Sequence, residues 1–413
     1  MTETKTRIAH ADRYFAVFCV MGAFALLSST MSKTPVLNPF ATTLGTPTDI
    51  LGVIASASTL PGILVSLPAA SLSDRIGRRK VLLFSSFVFA SAPFLYLFVA
   101  TWWQLALVRF YHGFATAIFV PVTEASVAEL FPKNRGERIS FLNSATGLGR
   151  TIAPVLGGAV LTAGGTILVP SSYNYNGLYL AVAIAGVTTF LLAFLLLSER
   201  HVGYSLASET GEFRSAVFYG WRKIIKNRSV VLVGFNQSCQ YYVYGTLEFF
   251  IVGYMVDVAK LDVLFAGIFA TVEVATLIIA RPLLGRLSDR RGRRMPIVLG
   301  SVLGSALLLA IPFITQFYLL LFVAVGYGLG FAMVVSSTSP LMSELAPQGL
   351  VGASMGFLST LMDVGQTIGP IISGAILAAF GRQYLALFIS LSLLLLASAV
   401  IFALSKTAKK TGP

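Results

Sequence analysis

The sequence predicts an all-α membrane protein, with twelve transmembrane helices in two pseudo-symmetric six-helix bundles. Three observations predict this fold class. Of the 413 residues, 56% are hydrophobic and only 11% are charged, whereas a soluble domain carries about 25% charged residues. Apolar runs long enough to span a bilayer recur along the whole chain. The second half of the chain also repeats, in the same order, short motifs that occur in the first half.

Each apolar run is long enough to cross a ~30 Å hydrocarbon core as a helix. Residues 1–13 are polar and contain no cleavage signal, so the first run is expected to act as its own insertion signal. The predicted spans, numbered 1 to 12, are 14–32, 50–71, 81–100, 104–126, 139–164, 177–197, 230–254, 262–283, 296–314, 317–340, 351–378 and 383–404.

The distribution of basic residues predicts the topology. If the N-terminus lies inside, most of the 30 basic residues fall in cytoplasmic segments, and only Lys33, Lys260 and Arg382 fall outside. This positive-inside pattern predicts cytoplasmic termini for a multi-pass protein of the cell (plasma or inner) membrane. It also explains the net charge of +13 through topology and lipid contact, so no nucleic-acid partner is expected.

An internal repeat predicts the domain organisation. LSDRIGRRK at 72–80 returns as LSDRRGRRM at 287–295, and VAELFP at 127–132 returns as MSELAP at 342–347, which pairs Glu129 with Glu344. Parallel duplication of this kind is a known route to transporters. The predicted units are an N-terminal bundle (1–197), a cytoplasmic linker (198–229) and a C-terminal bundle (230–413). Within the linker, 213–227 is either an amphipathic helix on the inner membrane surface or a plain tether.

The sequence contains no motif typical of an enzyme active site. Cys19 and Cys239 both lie inside apolar spans, where buried thiols are expected rather than a disulfide or metal site. No His/Cys/Asp cluster has metal-ligand spacing, and no phosphate-binding glycine loop or serine-nucleophile elbow occurs. The sequence therefore predicts neither an enzyme, nor a cofactor, nor a metal site.

Three short motifs are similar to motifs of a known family of membrane proteins. The loop after span 2 contains ASLSDRIGRRK at 70–80, and its repeat contains GRLSDRRGRR at 285–294. Span 4 contains RFYHGFATA at 109–117, and span 5 contains GRTIAPVLGG at 149–158. These sequences resemble motifs A, B and C of the major facilitator superfamily, in particular its twelve-helix drug:proton antiporter branch. The chain departs from the motifs at Ala70, His112, Ala115 and Ala153. The resemblance covers nearly the whole chain.

The resemblance implies a secondary transporter in which two bundles rock about a site lined by spans 1, 4, 7 and 10. Motif C is typical of exporters. The family places the motif A aspartate at the N-terminus of span 11, where the helix dipole stabilises an anion, so Asp74 and Asp289 are expected to act as conformational latches. For the neighbouring basic residues, a role in topology is favoured. The predicted latch residues are Asp74, Arg75, Gly77, Arg78, Asp289, Gly292, Arg293, Glu129 and Glu344.

Small residues recur every four positions in spans 5 and 11. This spacing lets helix backbones approach closely in lipid, and the prolines at equivalent points are expected to bend both helices. The predicted helix-packing residues are Gly149, Ala153, Pro154, Gly157, Gly158, Gly365, Gly369 and Pro370.

Polar residues inside spans are costly in lipid and indicate a water-filled cavity. Span 4 carries a polar face, and span 7 carries a polar and aromatic stripe. Hydrogen bonding between helices is the alternative role. The predicted substrate-binding residues are Arg109, His112, Thr116, Gln237, Gln240, Tyr241, Tyr244, Glu248, Tyr327 and Phe331.

Many drug antiporters have a titratable carboxylate in span 1, but this chain has only Ser28, Ser29 and Ser32 there. Arg150 lies about 11 residues into span 5, or ~17 Å deep at 1.5 Å per residue, close to the middle of the bilayer. Glu273 reaches a similar depth in span 8, which predicts an ion pair, with Asp363 as the rival partner. The predicted proton-coupling residues are Glu248, Glu273, Asp363, Arg150 and Glu124.

These observations favour a proton-coupled exporter of a drug-like molecule or metabolite that works by alternating access. Two alternatives stay open: proton-coupled uptake of an anionic metabolite by Arg109 and Arg150, and a non-transporting membrane sensor. The expected partners are a small-molecule substrate, protons and the lipid bilayer, and the chain is expected to be monomeric.

Overall fold

The structure, a computed structural model, describes residues 2–132, 134–163, 173–197, 223–347 and 350–405. These residues form helices and connecting turns. The first 25 residues of the predicted linker, 198–222, lie outside the described residues, and so does most of the stretch 213–227. Its two proposed roles therefore stay predictions.

The α-helices are numbered here in chain order. They are α1 (Thr2–Met31), α2 (Leu37–Thr43), α3 (Thr48–Ser56), α4 (Leu60–Ile76), α5 (Arg78–Tyr96), α6 (Trp102–Leu130), α7 (Arg135–Thr162), α8 (Tyr175–Leu196), α9 (Arg228–Asp257), α10 (Val263–Arg291), α11 (Arg294–Ala310), α12 (Phe317–Leu345), α13 (Val351–Ala379) and α14 (Tyr384–Leu404). Span 2 is divided between α3 and α4, span 9 covers α11 and the 3-10 helix Ile311–Phe313, and each other predicted span overlaps one helix.

By length and composition, nine helical segments in the described part of the chain are able to cross a membrane. Those segments do not include α5, α7 or α9, which coincide with predicted spans 3, 5 and 7. The reason is polarity. Helix α5 begins with three basic residues, and α7 and α9 carry the polar side chains that the sequence marks for function. The all-α, multi-pass membrane fold is confirmed.

The chain forms two compact units. Unit 1 consists of Met1–Pro47, Val53–Ala207 and Asp262–Thr271, and unit 2 of Thr48–Gly52, Ser208–Leu261 and Val272–Pro413. In unit 1, α1 packs against α7, and α5 packs against α6 and α8. In unit 2, α9 packs against α13, and α11 packs against α12 and α14. The internal packing of the two units therefore follows the same order, as expected for a repeat. The domain boundaries at 197 and 230 stay predictions.

Each unit contains a point where one helix lies directly on the backbone of another. A Cβ atom added to Gly149 of α7 would overlap the carbonyl oxygen of Ala23 of α1, and one added to Gly365 of α13 would overlap that of Ser238 of α9. In lipid, helix association depends on this kind of van der Waals contact because water supplies no hydrophobic driving force. Glycine is therefore required at both positions.

We predict that Gly149→Ala lowers the thermal stability of the purified protein, by about 1–3 kcal/mol, because the new methyl group overpacks the contact with Ala23. Gly136→Ala is the control in the same helix, since a Cβ there meets nothing within 4 Å. It is expected to be neutral or stabilising by less than ~1 kcal/mol. Equal melting temperatures for the two variants would contradict the contact.

Candidate functional site

Unit 1 contains a buried polar cluster around Arg109 of α6. The Arg109 side chain is only 2% exposed. Its Nη1 donates to Ser32 Oγ (3.4 Å), and its Nη2 donates to Ser58 Oγ. The described part of the chain places no carboxylate within ion-pair distance of this guanidinium. Its recorded partners are neutral hydroxyl groups, so a charged group is buried without an ionic partner.

His112 extends the cluster along α6. Its Nδ1 lies 3.5 Å from Ser32 Oγ and 3.4 Å from the Tyr96 hydroxyl. Tyr96 stacks on Tyr179 of α8 with a centroid separation of 4.4 Å and an interplanar angle of 4°. Sequence reasoning named Arg109 and His112 but missed Ser58, Tyr96 and Tyr179, because serines and tyrosines are unremarkable in membrane spans.

The other polar residues of unit 1 that the sequence selected make no hydrogen bond to this cluster among the described residues. Thr116 shares a 3.1 Å hydrogen bond with Ser29 of α1. Glu124, further along α6, interacts with Asn143 of α7. Arg150 is exposed on α7. Its predicted pairing with Glu273, a residue of unit 2, stays a prediction.

Unit 2 contains an aromatic cluster centred on Phe331 of α12. Tyr244 stacks on the Phe331 ring at 4.9 Å, Tyr241 meets the ring edge to face at 5.3 Å, and Tyr327 stacks at 6.2 Å. Offset and edge-to-face ring pairs of this kind stabilise beyond the area that they bury. The structure therefore brings together four of the residues that the sequence proposed for substrate binding.

The two glutamines of the predicted stripe make bonds between helices. Gln240 donates from Nε2 to Ser301 Oγ of α11 (2.8 Å), and Gln237 accepts at Oε1 from the Thr338 hydroxyl of α12 (2.5 Å). Both side chains are fully buried. Helix–helix hydrogen bonding is the alternative role that the sequence left open, and the geometry fits it.

Three carboxylates that the sequence selected for proton coupling lie within helices of unit 2. Glu273 of α10 is 5% exposed, while Glu248 of α9 and Asp363 of α13 are half-buried. Glu273 interacts electrostatically with Glu248 and with Tyr327 of the aromatic cluster. Glu273 therefore lies close to Tyr327 of the aromatic cluster, which no pattern in the sequence revealed.

Arg78 anchors the first loop between α4 and α5 to α6. Its Nε donates to Glu129 Oε2 (2.8 Å), a second guanidinium nitrogen pairs with Glu129 Oε1, and Nη1 donates to Ser73 (3.0 Å). Two parallel bonds from a guanidinium to one carboxylate make a strong and directional pair. The arginine therefore fixes the loop as well as contributing to topology.

Unit 2 repeats this arrangement. Arg293 donates from Nε and Nη2 to Glu344 Oε1 (3.3 and 3.2 Å) and from Nη1 to Ser288 Oγ (3.3 Å). Asp289 also pairs with Arg293 inside unit 2. The sequence contains a signal for these pairs, because arginine and glutamate are 51 residues apart in both halves.

The glycines of the two loops adopt backbone conformations that favour glycine. Gly77 has φ 95° and Gly292 has φ 88°, both in the positive region that side chains disfavour. The side chains of Asp74 and Arg75 lie outside the described part of the structure, so their assignment as latch residues stays a prediction.

A second arginine of each loop reaches the end of the last helix of its unit. Arg79 Nε donates to the carbonyl of Leu197 (2.8 Å), and Arg294 Nη2 donates to that of Ser405 (2.7 Å). Cations at a helix C-terminus satisfy carbonyl groups that have no partner within the helix. Sequence reasoning interpreted these residues as topology signals only.

A family model of the Major Facilitator Superfamily matches residues 14–271 and 233–413. The chain belongs to the major facilitator superfamily. Members of this superfamily are membrane transporters of small molecules and are not enzymes. The resemblance that the three motifs carry is therefore confirmed at the level of the family and of its fold.

Curated relatives resemble the chain over most of its length at low identity. It is 22% identical over 345 residues to an uncharacterised MFS-type transporter of Methanocaldococcus jannaschii, covering 82% of this chain and 85% of that protein. It is 23% identical over 336 residues to the multidrug resistance protein MdtG of Salmonella typhimurium, covering 80% and 79%.

Solved structures share the fold. A bacterial homologue of the human lysosomal transporter Spinster, in an inward-facing occupied conformation, superposes with a TM-score of 0.78 at 15% identity over 95% of this chain and 96% of that one. The nucleoside transporter NupG gives a TM-score of 0.77 at 14% identity over 94% and 98%. At such identities the likeness shows the fold alone.

We predict that Glu129→Gln destabilises the protein more than Glu344→Gln. Arg78 is 5% exposed and Arg293 is 17% exposed, and Arg293 keeps Asp289 as a partner. Loss of the Glu129 charge beside the more deeply buried Arg78 is expected to lower the free energy of unfolding by about 2 kcal/mol or more. Loss of the Glu344 charge is expected to lower it by less than about 1 kcal/mol. Thermal unfolding of the two purified variants measures the difference. Equal losses, or a larger loss for Glu344→Gln, would contradict the ranking.

Proposed function

We propose that the protein exports a small drug-like molecule in exchange for protons by alternating access, as a monomer in the cell membrane with both termini in the cytoplasm. The observation that carries this proposal is the position of Glu273, a buried carboxyl group beside the aromatic cluster of Tyr241, Tyr244, Tyr327 and Phe331.

The carboxyl group supplies a means of proton coupling. Burial penalises the charged form of a carboxyl group, whereas water stabilises it. A conformational change that admits water to Glu273 therefore favours release of a proton, and closure favours its uptake. Glu248, which interacts with Glu273, adds a second negative charge that opposes double ionisation.

The aromatic cluster supplies a surface for an apolar or planar substrate. Four rings from α9 and α12 provide broad, weakly directional contacts that tolerate different shapes. The multidrug resistance proteins among the relatives favour a drug-like substrate and outward transport. Motif C at 149–158 favours the same direction.

Uptake of an anionic metabolite is the second candidate. Arg109 favours it, since a buried guanidinium with neutral hydroxyl partners is suited to an anion. In either direction, the ion pairs of Arg78 and Arg293 support the proposed role of the two loops as latches, because each holds its loop in one position.

Proteoliposomes with an imposed pH step test the direction and the coupling. Two fluorescent probes cover the substrate classes: ethidium, a planar cation, and pyrenebutyrate, a planar carboxylate. Export coupled to protons predicts that at least one probe moves opposite to the proton gradient and that an uncoupler abolishes this movement. Flux of both probes that ignores the pH step would contradict proton coupling, and no protein-dependent flux of either would contradict a drug-like substrate.

We predict that Glu273→Gln lowers gradient-driven flux at least about tenfold, since an amide cannot release a proton, while exchange without a gradient persists. Glu137→Gln, an exposed position at the start of α7, is the matched control and is expected to behave like the wild type. If Glu273→Gln responds to the pH step as the wild type does, Glu273 is not the coupling residue.

A further inference from the structure

The polar cluster around Arg109 in unit 1 contains buried hydrogen-bonding atoms that bond to no other group in the described part of the chain. In the described part of the chain, Arg109 Nε, His112 Nε2 and the Tyr179 hydroxyl are all buried and lack a hydrogen-bond partner. Buried polar groups are normally satisfied, and each exception needs an explanation. Three such exceptions around Tyr96, within one cluster, indicate one cause.

The hydrogen bonds around these atoms leave more donors than acceptors in the cluster. Ser32 donates to the Ser29 carbonyl (2.8 Å), so its oxygen is available to accept from Arg109. When the Tyr96 hydroxyl donates to His112 Nδ1, the histidine carries its proton on Nε2. The three groups without partners are then an arginine N–H, a histidine N–H and a tyrosine O–H, all able to donate.

The uncompensated charge of Arg109 also favours an anionic ligand. Arginine stays protonated in proteins, and no described carboxylate lies within ion-pair distance of this one. The nearer of the two acids on the same helix, Glu124, is 15 residues further along, or ~22 Å at 1.5 Å per residue, and the other, Glu129, pairs with Arg78. A buried positive charge surrounded by unused donors is complementary to an anion.

The surroundings restrict what kind of anion would fit. Tyr96 and Tyr179 stack beside the guanidinium, and Arg109 interacts electrostatically with both. On the far side of Tyr179, Phe40 of α2 packs against Tyr179 at 5.5 Å and against Tyr175 at 4.6 Å. A guanidinium suits a carboxylate, because the carboxylate accepts two parallel hydrogen bonds from it. The flat rings of Tyr96 and Tyr179 suit a planar apolar body that carries this carboxylate.

We propose that Arg109, His112 and Tyr179 form a binding site in unit 1 for the carboxylate of an organic monoanion. The proposal deepens the proposed function, on which it rests, by naming the substrate class: a molecule with an apolar planar body and one carboxylate. Arg109 Nε and Nη2 hold the two carboxylate oxygens, and His112 and Tyr179 donate to the same group.

Equilibrium binding to the purified full-length protein tests the site without any gradient. Benzoate is the probe, and benzamide is its neutral isostere. Isothermal titration and thermal shift are expected to show saturable binding of benzoate to the wild type and no binding of benzamide. Chloride at matched ionic strength distinguishes an inorganic anion from a carboxylate. Binding of chloride alone, equal effects of benzoate and benzamide, or no binding of benzoate would overturn the proposal.

Substitutions locate the site. Arg109→Gln is expected to weaken benzoate binding at least tenfold. Arg281→Gln is the matched control, because Arg281 is exposed on the membrane-spanning α10 of unit 2, and it is expected to bind as the wild type does. Tyr179→Phe removes one hydroxyl that has no hydrogen-bond partner among the described residues, and it should weaken binding severalfold without unfolding the protein. If Arg109→Gln fails to fold, Tyr179→Phe decides, and wild-type affinity in that variant overturns the site.

The same measurements separate this inference from the proposed function. A protein that binds benzoate at Arg109 but moves both fluorescent probes regardless of pH keeps the site and loses proton coupling. A protein that exports ethidium against a proton gradient but does not bind benzoate keeps the coupling and loses the site.

Discussion

Close backbone packing at glycine is the constraint on which the rest of each unit depends. Gly149 against Ala23 sets how near α7 lies to α1, and Gly365 against Ser238 does the same for α13 and α9. The residue that follows α1, Ser32, then accepts a hydrogen bond from Arg109, and α9 presents Tyr244 to Phe331. In a bilayer, helix association depends on such packing together with hydrogen bonds between helices, since lipid tails are as apolar as the side chains that they would replace. The close packing therefore places the polar groups within reach of one another.

The two units share packing but differ in what they bury. Unit 1 places a cation among hydroxyl groups at Arg109, whereas unit 2 places carboxylates beside aromatic rings at Glu273. A duplication supplies two equal scaffolds, and later substitution gives each a different electrostatic character. The symmetry of the loops, where Arg78 and Arg293 make equivalent bonds, shows which part of the scaffold has stayed the same.

The fold could be predicted because membrane helices are recognisable by their length and hydropathy, and because the motif at 72–80 is repeated at 287–295. The sites could be predicted only in part. Polar residues on one helix, such as Arg109 and His112, are identified by their cost in lipid. Their partners on other helices, such as Tyr179, are common residue types whose role depends on packing that no local pattern encodes. The helices α5, α7 and α9 are less apolar than the other spans, because α5 begins with three basic residues and α7 and α9 carry polar side chains along their length.

The arginines of the two loops have a consequence for how the protein can evolve. Arg79 and Arg294 belong to the charge bias from which the orientation of the chain is predicted, and they also bond to the carbonyls of Leu197 and Ser405, which follow the last helices. Replacing either arginine would therefore remove a bond within a folded unit and also weaken the charge bias on which the predicted orientation rests. Selection for folding would then also preserve that charge bias.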